Sequence, residues 1–272
     1  MPIRPPVKIH GGKFYLNKWV IEQFPQNYKE LVYVEPFCGG ISVLLNKERS
    51  EKEVINDTDD GLICLLKSLR DEPKEFIGRL KRVKYCENTF LGAVRKAKNE
   101  DETKDYVDKA VTEFILRRMS RGGMKKAFAW SERLRGGQPG DVNAWETILE
   151  RLPAIAERLQ GVIILCEDFR KVLDVWDEDN SLLYLDPPYL PTTRSEGSRE
   201  IYEYEMSVED HISMLNMLKS SRGKILLSGY LSTLYTRMLN KEIWRYKRKS
   251  MAAHASQAKT KTRRLEYLWM NY

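Results

Sequence analysis

The sequence predicts an α/β protein: a doubly wound, Rossmann-like sheet of seven strands that carries a mostly helical insertion. Three observations predict this fold class. Two short β-branched runs near the start of the chain flank a glycine-containing turn. A long segment with helical spacing and no strand candidate follows, and five more strand candidates come after it. At 272 residues, 42% of them hydrophobic, the chain is long enough to bury a core.

The first two strand candidates define how the sheet begins. Residues 31–34 form an apolar run that leads into the turn 35–40, with the sequence EPFCGG, and residues 53–57 form the second run. Between them, the residues 41–45 begin a helix-like stretch. Strand, turn, helix and strand is the opening of an open α/β sheet, in which ligands bind beyond the carboxyl ends of the strands.

The insertion is predicted to span 62–158 and to be interrupted by a loop at 131–140. Residues 1–61 and 159–272 then form the domain that contains the sheet. Its later strands are predicted at 162–165, 182–185, 224–228, 243–246 and 265–270, with an amphipathic helix at 207–221.

Positive charge is concentrated in two segments of a chain whose net charge is +7. Residues 117–135 hold seven Lys or Arg and one acid, and residues 245–264 hold eight and no acid. Such runs can be merely solvated surfaces. Their one-sided charge and interleaved aromatic residues favour a polyanionic partner.

Several classes of protein are not expected. No apolar run approaches the roughly 20 residues that span a bilayer. The N-terminus does not have the pattern of a signal peptide, so a cytoplasmic protein is predicted. The four cysteines are scattered and lack neighbouring histidines, so neither a disulfide framework nor a metal site is expected.

The segment Asp186-Pro187-Pro188-Tyr189 directly follows the predicted strand 182–185. An amine conjugated to a ring becomes more nucleophilic when acceptors hold both of its N–H groups and draw it toward sp³ geometry. The Asp186 carboxylate and the Pro187 carbonyl can be those acceptors, because the prolines make the turn rigid. Tyr189 offers a ring on which a flipped-out base can stack. The tetrapeptide therefore predicts methyl transfer to an amino nitrogen, although an isolated Asp-Pro-Pro is usually an ordinary turn.

Three further candidates allow a functional or a structural interpretation. Asp57, after the second strand, can accept both hydroxyls of a ribose or can cap a helix. Asp168, after the third strand, can accept a hydrogen bond from an adenine amino group or can be structural. The residues 11–13, Gly-Gly-Lys, can bring a cation to a carboxylate or can form a simple loop.

In their order along the chain, these segments resemble the Dam-like, D12-class N6-adenine DNA methyltransferases. The resemblance covers most of the chain and rests on KIHGGK at 8–13, VEPFCGG at 34–40, Asn-Asp at 56–57, CEDF at 166–169 and DPPY at 186–189. It implies the methyltransferase form of the seven-stranded sheet, S-adenosyl-L-methionine as cofactor and adenine N6 of duplex DNA as acceptor.

The resemblance also implies roles for individual residues. The implied catalytic residues are Asp186, Pro187 and Tyr189. The implied cofactor-binding residues are Ile9, Gly12, Lys13, Glu35, Phe37, Gly39, Asp57, Asp168, Phe169 and Asp186. Ile9 stands where the family often has an aromatic residue, and residues 191–204 stand where the family has a loop over the flipped base.

In this family the helical insertion is the target-recognition domain, which implies that residues 62–158 read DNA. The candidate DNA-binding residues are Arg117, Arg118, Arg121, Lys125 and Lys126. Residues 117–124 differ from the loop of members that recognise GATC, so that specificity is not implied. The expected partner is double-stranded DNA. A restriction endonuclease is a functional partner in some members, and the expected state is a monomer or weak dimer.

Other acceptors of the methyl group, and one other class of protein, remain as alternatives. Cytosine N4 in DNA, adenine N6 in RNA or a protein glutamine would need the same chemistry. Asp186 argues against cytosine and glutamine, whose enzymes more often have Ser and Asn at that position. A DNA-binding protein without catalytic activity could also have this scaffold.

Overall fold

A computed structural model describes residues 2–99, 105–193, 204–252 and 263–272. Its helices are α1 (Asn17–Ile21), α2 (Asp60–Asp71), α3 (Pro73–Lys81), α4 (Glu87–Lys98), α5 (Tyr106–Arg118), α6 (Gly140–Leu159), α7 (Phe169–Trp176), α8 (Val208–Lys219) and α9 (Thr233–Met238). Its strands are β1 (Val32–Glu35), β2 (Lys52–Asn56), β3 (Leu134–Arg135), β4 (Gln138–Pro139), β5 (Ile163–Leu165), β6 (Ser181–Leu185), β7 (Lys224–Gly229), β8 (Arg245–Ala252) and β9 (Arg263–Met270).

Seven of these strands form one sheet in the order β5-β2-β1-β6-β7-β9-β8. Strand β1 pairs in parallel with β2 and β6, and β6 pairs in parallel with β7. Strand β9 runs antiparallel to both β7 and β8. The predicted α/β class and the seven-stranded sheet are confirmed, and the segment that links β2 to β5 is mostly helical among its described residues.

Three details of the prediction are wrong. The residues 41–45 form turns rather than a helix, because Ile41 has a φ of 54°, outside the helical region. The predicted loop 131–140 contains the short antiparallel hairpin β3–β4. Strand β8 begins two residues later than predicted and continues to Ala252, because a strand at a sheet edge can consist of exposed, charged residues.

The chain divides into two compact units. The first unit comprises Met1–Lys18, Cys38–Lys47 and Asp57–Cys166, and the second comprises Trp19–Phe37, Glu48–Asn56 and Glu167–Tyr272. The sequence predicts other boundaries, with residues 62–158 as one domain and residues 1–61 and 159–272 as the other. These boundaries stay a prediction. None of the described helices has the length and apolar character needed to cross a membrane.

Packing of apolar faces builds both units. In the first, α5 contacts α2, α3 and α4. Its Phe114 ring makes edge contacts with Phe76 at 5.9 Å and with Trp145 at 5.3 Å between centroids. In the second unit, all five residues of β6 are buried. The predicted amphipathic helix is confirmed as α8, which a reciprocal Ser207–Asp210 capping box starts.

A buried charge network in the first unit corrects the role predicted for Arg117. Its guanidinium donates to Glu113 and to Asp59, and all three side chains are under 10% exposed. Asp59 also caps α2 by accepting from the Leu62 amide at 2.9 Å. Arg117 therefore holds α5 to the start of α2 and is not available at the surface as a DNA contact.

This network generates a stability prediction. Arg117→Ala leaves two buried carboxylates without their guanidinium, which should lower the free energy of unfolding by about 3 kcal/mol. Urea unfolding measures the loss. The matched control is Arg121→Ala, an exposed residue, which should change stability by no more than about 0.5 kcal/mol. Equal stability of the two variants would contradict the structural role of Arg117.

Candidate active site

The parallel register of the second unit brings three strand ends to one edge of the sheet. Glu35, the last residue of β1, is aligned with Ile55 of β2, and Val34 is aligned with Leu183 of β6. Carboxyl ends of parallel strands meet at the same edge. The segments that leave β1, β2 and β6 therefore start from neighbouring positions.

Asn56, the last residue of β2, ties two of the connecting segments together. Its amide nitrogen donates to the Pro36 carbonyl at 3.0 Å and to the Glu167 carbonyl at 2.9 Å. Its amide oxygen accepts from the Glu167 N–H at 2.9 Å. Asn56 is fully buried and thus satisfies its polar atoms with the residues that precede Phe37 and Asp168.

The aromatic residues of these two segments lie against each other. The Phe37 and Phe169 rings are 5.3 Å apart at an interplanar angle of 36°, with Phe169 buried and Phe37 half-buried. The Asp168 carboxylate caps α7 by accepting from the Arg170 amide at 2.8 Å, and it pairs with the Arg170 guanidinium at 2.9 Å. That guanidinium lies 4.5 Å over the Phe169 ring. Asp168 therefore has a structural role: it caps α7 and pairs with Arg170.

Glu35 is a buried carboxylate at the end of β1, 3% exposed. It accepts a hydrogen bond of 2.9 Å from the Tyr33 hydroxyl, which lies two residues away on the same face of the strand. Burial raises the pKa of Tyr33 well above its usual value, so this hydroxyl stays a donor.

Asp186 follows β6 and is half-buried. Its negative charge affects three tyrosines, Tyr184, Tyr189 and Tyr235. Burial raises the pKa of each hydroxyl, and the charge of Asp186 raises it further. The predicted catalytic carboxylate thus has three tyrosines around it that stay protonated and neutral.

Tyr189 is buried, at 6% exposure, and its hydroxyl is engaged. It donates to Glu266 Oε2 at 2.8 Å and lies 2.8 Å from Ser228 Oγ. Its ring makes an edge contact with Tyr230, with centroids 4.6 Å apart. Sequence reasoning missed these partners, because they lie 39 and 77 residues further along the chain.

In the first unit, the structure brings three predicted cofactor residues together. The Gly39 amide donates to Asp57 Oδ2 at 2.9 Å, and the Asp59 amide donates to Asp57 Oδ1 at 3.1 Å. Carbon atoms of the Ile9 side chain lie 4.0 Å from the point where a Cβ on Gly39 would sit. Burial raises the pKa of Asp57 to about 6, and the charge of Asp59 adds to this effect.

The Gly-Gly-Lys segment of the same unit forms a tight turn. Gly11 has a φ of 76°, in the left-handed region, and the Gly12 amide donates to the Ile9 carbonyl at 3.2 Å. Lys13 is 8% exposed, and its ammonium group donates to the Gly11 carbonyl at 3.2 Å.

The candidate DNA-binding residues differ in exposure. Arg121 and Lys126 are exposed, whereas Arg118 is half-buried and donates to the Ala144 carbonyl at 3.0 Å. Lys125 pairs with Glu113 at 3.1 Å. Three large apolar side chains, Met124 at 37%, Trp130 at 51% and Leu134 at 64%, are exposed in the same part of the chain.

Comparison with known proteins places this site in a family. A model of the D12 class N6 adenine-specific DNA methyltransferases matches residues 10–256. The chain is 26% identical to the type II methyltransferase M.MjaIII of Methanocaldococcus jannaschii, over 84% of this chain and 85% of that protein. It is 25% identical to the DNA adenine methylase of Haemophilus influenzae, over 86% of this chain and 82% of that protein.

The match extends from the Gly-Gly-Lys turn to strand β8 and beyond, and includes every segment that carries the resemblance except the first two residues of KIHGGK. Two relatives of nearly full coverage have names that describe DNA methylation. The chain therefore belongs to the D12 class N6 adenine-specific DNA methyltransferase family.

Proposed function

We propose that this protein transfers a methyl group from S-adenosyl-L-methionine to N6 of a flipped-out adenine in double-stranded DNA. The observation that carries the proposal is the Asp186-to-Tyr189 segment at the carboxyl end of β6, in a chain that belongs to this family. Acidic and aromatic residues follow the neighbouring strands, as expected for a site at this edge of the sheet.

The chemistry of the available side chains fits the cofactor. S-Adenosylmethionine has a ribose with two hydroxyl donors, an adenine ring, a carboxylate and two positive groups. Asp57 would accept from the ribose, the Phe37 and Phe169 rings would contact the adenine, and Lys13 would attract the carboxylate. The buried Glu35 carboxylate suits a positive group. When bound, the cofactor supplies an electrophilic methyl group.

Asp186 and Pro187 would orient the amine that attacks. The Asp186 carboxylate accepts one N–H of the adenine amino group and the Pro187 carbonyl accepts the other, which turns the nitrogen lone pair away from the ring. The proline ring fixes the backbone that holds this carbonyl. No base would have to remove a proton before the attack, because the methyl group that the cofactor supplies is already strongly electrophilic. The Asp186 carboxylate would accept the surplus proton of the methylated amine.

Tyr189 would receive the flipped base by stacking, at a cost of a few kcal/mol for unstacking it from the duplex. Exposed cations would hold the DNA backbone. In the first unit these are Arg121 and Lys126, beside the exposed Trp130. In the second unit, β8 has four exposed cations and no acid: Arg245, Lys247, Arg248 and Lys249.

We extend four further expectations to this chain. The type II name of the M. jannaschii relative supports a role beside a restriction endonuclease. A DNA substrate supports a cytoplasmic site of action. We also propose a monomer or weak dimer and the helical segment 62–158 as the part that reads the target.

Asp186→Ala tests the catalytic role. Loss of the carboxylate should reduce methyl transfer at least about a hundredfold, because one of the two acceptors that orient the amine is gone. Transfer of tritium-labelled methyl groups from S-adenosylmethionine to unmethylated DNA measures the rate. The matched control is Asp174→Ala, an exposed residue of α7, which should keep full activity. Substantial activity of folded Asp186→Ala protein would refute the assignment.

Arg121→Ala and Lys126→Ala test the DNA contacts. Each should weaken binding to all DNA sequences and reduce the slope of log affinity against log salt concentration by about one. Fluorescence anisotropy with a labelled duplex measures both quantities. Lys74→Ala, an exposed cation of α3, is the control and should leave the slope unchanged. Affinity that is insensitive to salt in the wild type would exclude this surface as the backbone contact.

Asp57 generates a pH prediction for cofactor binding. Only the ionised carboxylate accepts from both ribose hydroxyls, and the pKa of about 6 means that protonation begins just below neutral pH. The affinity for S-adenosylmethionine should therefore fall about tenfold between pH 8 and pH 5. Calorimetry measures this affinity, and Asp57→Asn should bind weakly at every pH. Equal wild-type affinity from pH 5 to pH 8 would count against the role of Asp57.

A further inference from the structure

Two buried polar side chains from neighbouring strands converge on the hydroxyl of Tyr189. Strand β7 provides Ser228 and strand β9 provides Glu266. Ser228 is aligned with Leu268 across the antiparallel pair, and Glu266 lies two residues from Leu268 on β9. Residues aligned across a pair share a face, as do residues two apart on one strand. Ser228 and Glu266 therefore project from the same face of the sheet.

The hydrogen bonds around Tyr189 have a defined direction. A phenol has one hydrogen, and Tyr189 donates it to Glu266 Oε2 at 2.8 Å. In the 2.8 Å contact with Ser228, the serine hydroxyl must then be the donor and the phenol oxygen the acceptor. The result is a chain of two hydrogen bonds, from Ser228 through Tyr189 to Glu266, in a region where Ser228 is 1% and Glu266 9% exposed.

The ring of Tyr189 has a third restraint. Tyr230 meets it at an angle of 73° with centroids 4.6 Å apart, which is an edge-to-face contact. Two hydrogen bonds at the hydroxyl and one ring contact define both the position and the plane of the Tyr189 ring. Displacement of the ring would break at least one of the buried hydrogen bonds, and rotation of its plane would disturb the contact with Tyr230.

The Glu266 carboxylate is 9% exposed, so its burial has a desolvation cost. Taking a carboxylate out of water is unfavourable, and apolar side chains of similar volume often stabilise such positions equally well or better. A single acceptor that fixes one aromatic ring is of use where the orientation of that ring matters.

We propose that Glu266 and Ser228 are positioning residues that hold the Tyr189 ring in the position in which it receives the target base. This inference rests on the proposed function of Tyr189. Neither residue touches the reacting atoms: both act through the Tyr189 hydroxyl, which stays bound to them while the ring face contacts the base.

A double-mutant cycle tests the proposal. Tyr189→Phe keeps the ring and removes both hydrogen bonds, and Glu266→Leu removes the acceptor. Each should lower kcat about tenfold, because each removes a hydrogen bond to a charged group. The KM for S-adenosylmethionine should stay unchanged. Because both changes break the same contact, the double variant should be no slower than the slower single variant. Glu266→Gln keeps an acceptor and should stay within about threefold of the wild type.

A second readout reports the ring position directly. The recognition site is first mapped by sequencing DNA that the protein has methylated. With 2-aminopurine in place of the target adenine, wild-type protein should raise its fluorescence on flipping and then quench it partly by stacking on Tyr189. Tyr189→Phe and Glu266→Leu should both reduce this quenching, because both release the Tyr189 ring from its position. The control is Glu53→Leu, which removes another buried carboxylate of the second unit, at the start of β2. This variant can lose thermal stability but should keep the wild-type kcat and fluorescence.

The outcomes distinguish a failure of the positioning role from a failure of the proposed function. If Tyr189→Phe keeps full kcat and the wild-type fluorescence, or if the effects of the two substitutions add, the positioning role is refuted. Tyr189→Phe carries this test even if Glu266→Leu does not fold. If wild-type protein forms no N6-methyladenine, the proposed function itself fails, independently of Glu266.

Discussion

The parallel pairing of β1 with β2 and β6 is the constraint on which the candidate site depends. It aligns the ends of three buried strands, so that the chain leaves the sheet at neighbouring points after Glu35, Asn56 and Leu185. The apolar residues that make these strands buried are thus also the reason why polar residues after them gather at one edge. Two of the predicted site residues, Phe37 and Asp186, lie two residues past β1 and one residue past β6.

Buried polar contacts then determine where the connecting segments lie. Asn56 binds the backbone before Phe37 and before Asp168, and Ser228 with Glu266 holds the hydroxyl of Tyr189. Each side-chain polar atom of Asn56 and of Tyr189 thus has a hydrogen-bond partner, which offsets the cost of burying it. Such contacts explain how loops at a sheet edge can keep the accuracy that methyl transfer demands.

Much of the fold could be predicted because buried strands are visible as apolar runs and motifs follow them directly. Other features depend on contacts that spacing does not encode. Ile41 adopts a left-handed conformation that its residue type disfavours, so its segment was wrongly predicted as a helix. Arg117 belongs to a basic run, but only the fold shows that Asp59 neutralises it. Glu266 lies 77 residues from Tyr189, beyond the reach of any local pattern.

Methylation of an adenine amino group at this edge of the sheet would leave a modified base in DNA. The most direct measurement is to express the protein in a host that lacks DNA methyltransferases and to map modified bases in its genome by single-molecule sequencing. The account predicts N6-methyladenine at one fixed position within a recurring sequence. Modified cytosine in place of adenine, or an unmodified genome in cells that contain the folded protein, would contradict it.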